Sequence, residues 1–317
     1  MTADLASVFQ PATPAMIIGH SVSDGVPPLG LSEPFALLGG DRLGPAGIPF
    51  LVGHEWQPAF LHSVRTACDD LVAAGRPWFR MAPALLAGPA GAGRSHAARS
   101  LARAAGVLHI FLNLSDPVIG ASISGSTDMS EALWVSPIVT AMAATRCANP
   151  VVSVIGADVN ADAAVALASM VDPVLGRAWM EERIGTVVDL GEVTWLIQAD
   201  APERLPAPLA DKLATIPIQS VPLHERSEIM VSLLAEVLAD LDISPADPAV
   251  RWQDIVKRCQ SSRSAGGDEP RFRNLRPGWW AGSWHSPRDT YDQLRTAVLE
   301  AQYDAAAARL GGAGDSH

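Results

Sequence analysis

One octapeptide constrains this chain more than any other: Gly88-Pro89-Ala90-Gly91-Ala92-Gly93-Arg94-Ser95. It matches G-x4-G-K-[ST] except that arginine replaces the lysine. The apolar run Ala84-Leu85-Leu86-Ala87 precedes it, and a helical stretch, His96 to Ala105, follows it. Glycines let the backbone wrap a phosphate, and a helix N-terminus supplies inward N–H groups and a positive end. All eight residues are candidate phosphate contacts. The N–H groups of Gly91 to Ser95 would point inward, and the Ser95 hydroxyl would bind Mg²⁺. Arg94 keeps the charge, but its planar fork is longer than the ammonium such a loop usually holds. A Gly-rich strand-to-helix turn with no ligand is the alternative.

The flanks extend the pattern. Strand-like runs at His109–Leu114, Val151–Ile155, Thr194–Gln198 and Ile216–Ser220 alternate with helical stretches near 137–147, 161–170 and 209–213. That alternation predicts an α/β domain with a mostly parallel sheet. Residues 1–52 are rich in Pro and Gly and read as an arm. Residues 53–221 form the α/β domain, with a first helix over 55–74. After Pro222 the periodicity is helical. Ser227 and Asp247-Pro248 are helix-start signals. Ser286-Pro287-Arg288-Asp289 opens a last helix carrying Tyr291, Leu294, Val298 and Leu299. Residues 222–317 therefore read as a helical domain.

Composition removes several classes. The chain has 317 residues and a formal net charge of −11, a poor match for nucleic acid or an anionic membrane surface. Its three cysteines, Cys68, Cys147 and Cys259, are too scattered for a disulfide framework or a zinc site. No apolar run is long enough to span a bilayer, and Met1 to Gln10 lacks the pattern of a signal peptide. A soluble cytoplasmic protein is expected.

Three stretches carry a resemblance to a known family. They are Leu85 to Ser95; Ala148-Asn149-Pro150-Val151-Val152-Ser153-Val154-Ile155; and Val188-Asp189-Leu190-Gly191-Glu192-Val193-Thr194-Trp195-Leu196 with Leu205-Pro206-Ala207-Pro208-Leu209-Ala210-Asp211-Lys212. Over about residues 55–260 the chain resembles AAA+ ATPases, in particular the ATPase module of Lon proteases and their Lon-like bacterial relatives. The resemblance implies a P-loop NTPase sheet flanked by helices, then a small helical lid. It also implies ATP or ADP with Mg²⁺ held between subunits of an oligomer.

The positions that would hydrolyse ATP depart from the family. Its phosphate-loop lysine is Arg94. Its paired carboxylates, which hold magnesium and orient water, fall on Ile155-Gly156, with Asp158 a short shift away. Its sensor asparagine falls on Ala201, beside Asp200, and its arginine finger falls on Lys212. A second sensor arginine would be Arg271 or Arg273, where Pro270 and Pro277 break the expected helix. Asp158, Asp200 and Lys212 are the remaining catalytic candidates. The expectation is a Lon-like protein with a degenerate ATP site, acting through a protein partner or neighbouring subunits with little or no hydrolysis. A slow ATPase that remodels a partner and a nucleotide-free scaffold are the alternatives. No room is seen after residue 260 for a Ser–Lys protease domain, nor before residue 55 for a long coiled coil.

Other features have plainer readings. Trp134 falls where the family grips polypeptide, but core or surface packing explains it. Trp279, Trp280 and Trp284 cluster beside Arg271, Arg273 and Arg276, as a protein-binding patch, a nucleotide-base platform or lid core. Ser122 and Ser124 lie near, but off, a G-x-S-x-G pattern and read as a flexible loop. The pairs Asp69-Asp70 and Glu181-Glu182 read as solvated helix faces.

Overall fold

The computed structural model describes residues 13–22, 25–44, 47–49, 56–125, 135–220, 231–255 apart from 232, 236, 239, 240 and 252, and 287–312. The chain forms two compact units. One comprises Met1–Pro89 and Arg94–Ile218, the other Ala90–Gly93 and Gln219–His317.

The first unit is built on five parallel strands. They are β4 (Ala84–Ala87), β5 (His109–Asn113), β6 (Val151–Ile155), β9 (Thr194–Ala199) and β10 (Ala214–Pro217), in the spatial order β10-β4-β9-β6-β5. The helices between them are α2 (Arg94–Ala105), α3 (Pro117–Ser124), α4 (Pro137–Thr145), α5 (Ala161–Val171) and the short α6 (Ala207–Ala210), with α1 (Pro58–Ala73) ahead of the sheet. Burial explains the composition of the strands. In β9 every residue from Thr194 to Ala199 is buried, and in β6 Val151 to Val154 are fully so. A strand covered on both faces reads as a continuous apolar run. The edge strand β5 alternates instead, with Ile110 and Leu112 inside and Phe111 38% exposed. The chain leaves β4 for β5 at the far edge, works back through β6 and β9, and ends at β10 on the other side of β4. The switch point therefore lies at the carboxyl end of β4, where ligands of open α/β sheets bind.

The segment read as a separate arm is part of this unit. Its strands are β1 (Ala15–Ile17), β2 (Gly19–Ser21) and β3 (Pro34–Ala36). β1 pairs with β3, and β2 joins an antiparallel sheet with β8 (Thr186–Val188) and β7 (Trp179–Glu181). Ile18, Leu31 and Phe35 are fully buried in the same core as Val152 and Trp195. Polar ties hold the segment as well. Arg146 donates to the Gly30 carbonyl and to Glu33, and its guanidinium lies 5.0 Å over the Phe35 ring. Asn149, fully buried, accepts from the Leu38 N–H and donates to the Leu38 and Phe79 carbonyls at 2.7–2.9 Å. Pro and Gly composition marks turns correctly but hides three-residue strands whose partner lies far along the chain.

Two further readings change. The segment around Ser122 and Ser124 is helical in α3 through residue 124, and the Ser122 hydroxyl donates to the Ile119 carbonyl. Asp116 caps that helix, accepting from the N–H groups of Val118 and Ile119, with Pro117 at its first position. Glu181 is not on a solvated helix face. It ends β7, is buried, and accepts the Ser136 N–H at 3.0 Å. Burial raises its pKa. Glu182, Asp69 and Asp70 are exposed.

In the second unit Leu233, Leu234 and Val237 are buried. The last helix, α7 (Pro287–Gly312), buries Leu294, Ala297 and Val298 and leaves Leu299 exposed. Trp134, Arg271, Arg273, Arg276, Trp279, Trp280 and Trp284 lie outside the described residues. Among the described residues, no helix is long and apolar enough to cross a membrane.

Candidate functional site

β4 ends at Ala87, and the chain turns through the glycine-rich loop into α2 at Arg94. Two glycines there have left-handed backbones, Gly91 with φ 79° and Gly93 with φ 95°. Gly88 is required for a different reason. A Cβ at this position would sit 2.2 Å from the Ile218 carbonyl oxygen, just past β10. The loop thus starts in a slot only a glycine fits.

The two side chains with chemistry in the loop already have partners at the end of β9. Arg94 donates from Nη1 to the Ala199 carbonyl and from Nη2 to the Asp200 carboxylate, and its side chain is 11% exposed. The Ser95 hydroxyl donates to Gln198 Oε1 at 2.8 Å. Gln198 is buried, and its Nε2 has no hydrogen-bond partner among the described residues. Asp158 closes the cluster from the β6 side, with Oδ2 accepting the N–H groups of Asp200 and Ala201 at 3.2 Å. So Arg94, Ser95, Asp158 and Asp200 come together around the carboxyl end of β9. Gln198 belongs with them. Its signal in the sequence is a polar residue near the end of an otherwise apolar strand.

Lys212 is elsewhere. Its ammonium bonds to Asp172 Oδ2 at 2.5 Å, beyond the end of α5. That hydrogen bond, with the N–H groups of Leu175 and Val174, holds the Asp172 carboxyl down to about 2. Position 156, where the resemblance places a carboxylate, is closed. Gly156 has φ 78°, and a Cβ there would lie 2.4 Å from Ser115 Oγ and 2.8 Å from its backbone nitrogen. Among the described residues no three His, Cys, Asp or Glu side chains gather to hold a metal.

The phosphate loop at the switch point of this parallel sheet defines a module of the P-loop NTPase class. No protein-family model matches the chain. Curated relatives do. Lon protease 2 of Thermus thermophilus is 28% identical over 150 residues, 46% of this chain and 19% of that protein. Lon protease of Desulfovibrio desulfuricans is 29% identical over 45% of this chain and 17% of its own length. The mitochondrial Lon protease homolog of Mus musculus is 27% identical over 55% of this chain and 20% of its own. Among solved structures, a point mutant of Thermotoga maritima RuvB superposes on 64% of this chain and 57% of its own, with 15% identity and a TM-score of 0.37. The chain carries an AAA+ module of the Lon-like kind, and the match spans about a fifth of the length of the curated relatives.

Proposed function

We propose that this chain is a Lon-like AAA+ protein whose nucleotide site is held shut by its own residues. It binds ATP or ADP with Mg²⁺ weakly, hydrolyses little or none, and works through contacts with a protein partner or neighbouring subunits. The observation that carries this reading is the engagement of Arg94 with Asp200 and the Ala199 carbonyl. A phosphate must displace that carboxylate before the loop's one cationic side chain can meet it. The Ser95 hydroxyl spends its proton on Gln198 and keeps its lone pairs, so it stays available to magnesium and the block lies at Arg94. Gly156 supports the reading from a second side, because its pocket excludes the carboxylate that would orient an attacking water. The Lys212–Asp172 pair occupies the charge at the arginine-finger position; such fingers supply about 10³–10⁵ in rate.

The test is calorimetric titration with ATP and Mg²⁺ beside a phosphate-release assay on the purified chain. Weak binding with release at background is expected. Turnover of about 1 s⁻¹ or more, lost in Arg94→Ala, would refute the proposal. Because catalytic groups act as a unit, Arg94→Lys alone is expected to restore nothing.

A further inference from the structure

A cavity of about 610 Å³ lies at the opposite, amino-terminal end of β4 and β10. One wall is α1, with Thr66 and Asp70. The other is the Arg76 to Ala84 segment and the edge strand at Thr215. Its volume falls in the range of small-molecule pockets.

The charges around it do not balance. Glu192, buried beneath, is fully used: Arg76 donates to both its oxygens at 3.1 and 3.3 Å, and Trp78 Nε1 donates at 2.8 Å. Arg177 stands 3.9 Å from the same carboxylate. Arg80, which lines the cavity, has no carboxylate of its own among the described residues. Its Nε is shut off from solvent and has no hydrogen-bond partner among them either. Burial lowers its pKa; Glu192 counteracts this, and the Arg76 and Arg177 charges add to the lowering. Three guanidiniums thus share Glu192, with exposed Asp70 as the other carboxylate on the cavity wall. A half-buried guanidinium without an acceptor is costly in a fold that had a choice. An oxyanion in the cavity would give this guanidinium the counter-charge it lacks, and the planar fork of arginine suits carboxylate and phosphate alike.

We infer that this cavity is a binding site for a small oxyanion-bearing molecule, a carboxylate or a phosphate, held by Arg80 with Arg76 and the Thr66 and Thr215 hydroxyls at its walls. The site shares no residue with the phosphate loop, so its failure leaves the reading of that loop untouched.

Calorimetric titration of the full chain with sodium phosphate, and separately with sodium succinate, at matched ionic strength tests it. Saturable binding of at least one anion is expected, and the tighter of the two identifies the class of ligand. Arg80→Gln should weaken that binding by about tenfold or more. Thr66→Glu, at an exposed helix position, puts a competing carboxylate in the cavity and should do the same without loss of fold. Arg65→Gln removes one charge from α1 outside the cavity and should change affinity by less than about twofold. No saturable binding of either anion overturns the inference. So does wild-type affinity in Arg80→Gln, or an equal loss in Arg65→Gln, which would reduce the effect to general charge.

Discussion

Arg94 shows how a residue can keep the charge a site needs and still withdraw it. The longer side chain reaches past the loop to the end of β9, where Asp200 and a carbonyl hold it. Replacing Asp200 with asparagine removes the counter-charge while keeping the shape. Asp200→Asn is expected to tighten ATP binding by about fivefold to tenfold, read by calorimetry at low salt. Unchanged or weaker affinity would mean that Arg94 is not sequestered. The sequence makes Arg94, Ser95, Asp158 and Asp200 visible as candidates, because a motif and its spacing depend on residue type. It does not show that they bond to one another, which depends on how β4, β6 and β9 lie side by side. Asn149 makes the same point. In the sequence it is only part of a family-like stretch, yet its amide joins Leu38 and Phe79 through three hydrogen bonds. No local pattern encodes partners 111 and 70 positions away.

Strands buried on both faces are legible in the sequence, and the three-residue antiparallel strands are not. β4 and β6 have the bounds that their apolar runs predict, since a strand buried on both faces must be apolar throughout. α3 escapes that reading although Asp116-Pro117 starts it, whereas Asp247-Pro248, read as a helix start, lies in a turn ahead of the helical residues 253–255; the Gly and Ser that follow Pro117 obscure α3. β2, β7 and β8 have three residues each, too few for any period to register. Junctions between elements carry their own constraint, and Gly156 at the end of β6 provides a graded test. Gly156→Ala should cost about 2–3 kcal/mol in urea unfolding, from left-handed strain plus the collision with Ser115. Gly75 is the control. Its φ is 65° but no atom lies within 4 Å of its would-be Cβ, so Gly75→Ala should cost only the strain, about 1 kcal/mol. Equal losses at the two sites would remove the steric argument.

Stability of the whole molecule should depend on acidity through His109, at the start of β5. Its ring shares a hydrogen bond of 2.9 Å with the Ser153 hydroxyl. Burial, with the Arg99 charge adding to it, pushes its pKa down to about 4. The unfolded chain binds this proton near pH 6.5, more readily than the fold does. The contribution is therefore complete above about pH 6.5 and is lost as pH falls towards 4. The urea midpoint should drop across that window and should drop less in His109→Gln; parallel slopes would refute the assignment. The pairing of β2 with β8 has a consequence in time. Gly19 bonds opposite Val188, and His20 opposite Val187. During synthesis, at about 5–20 residues per second, the first of these strands leaves the ribosome roughly ten to thirty seconds before the second exists. Through that interval Ile18, Leu31 and Phe35 have no finished core to enter. A nascent chain of this protein thus exposes these three apolar side chains until β8 has been made, and slower translation should lengthen that exposure.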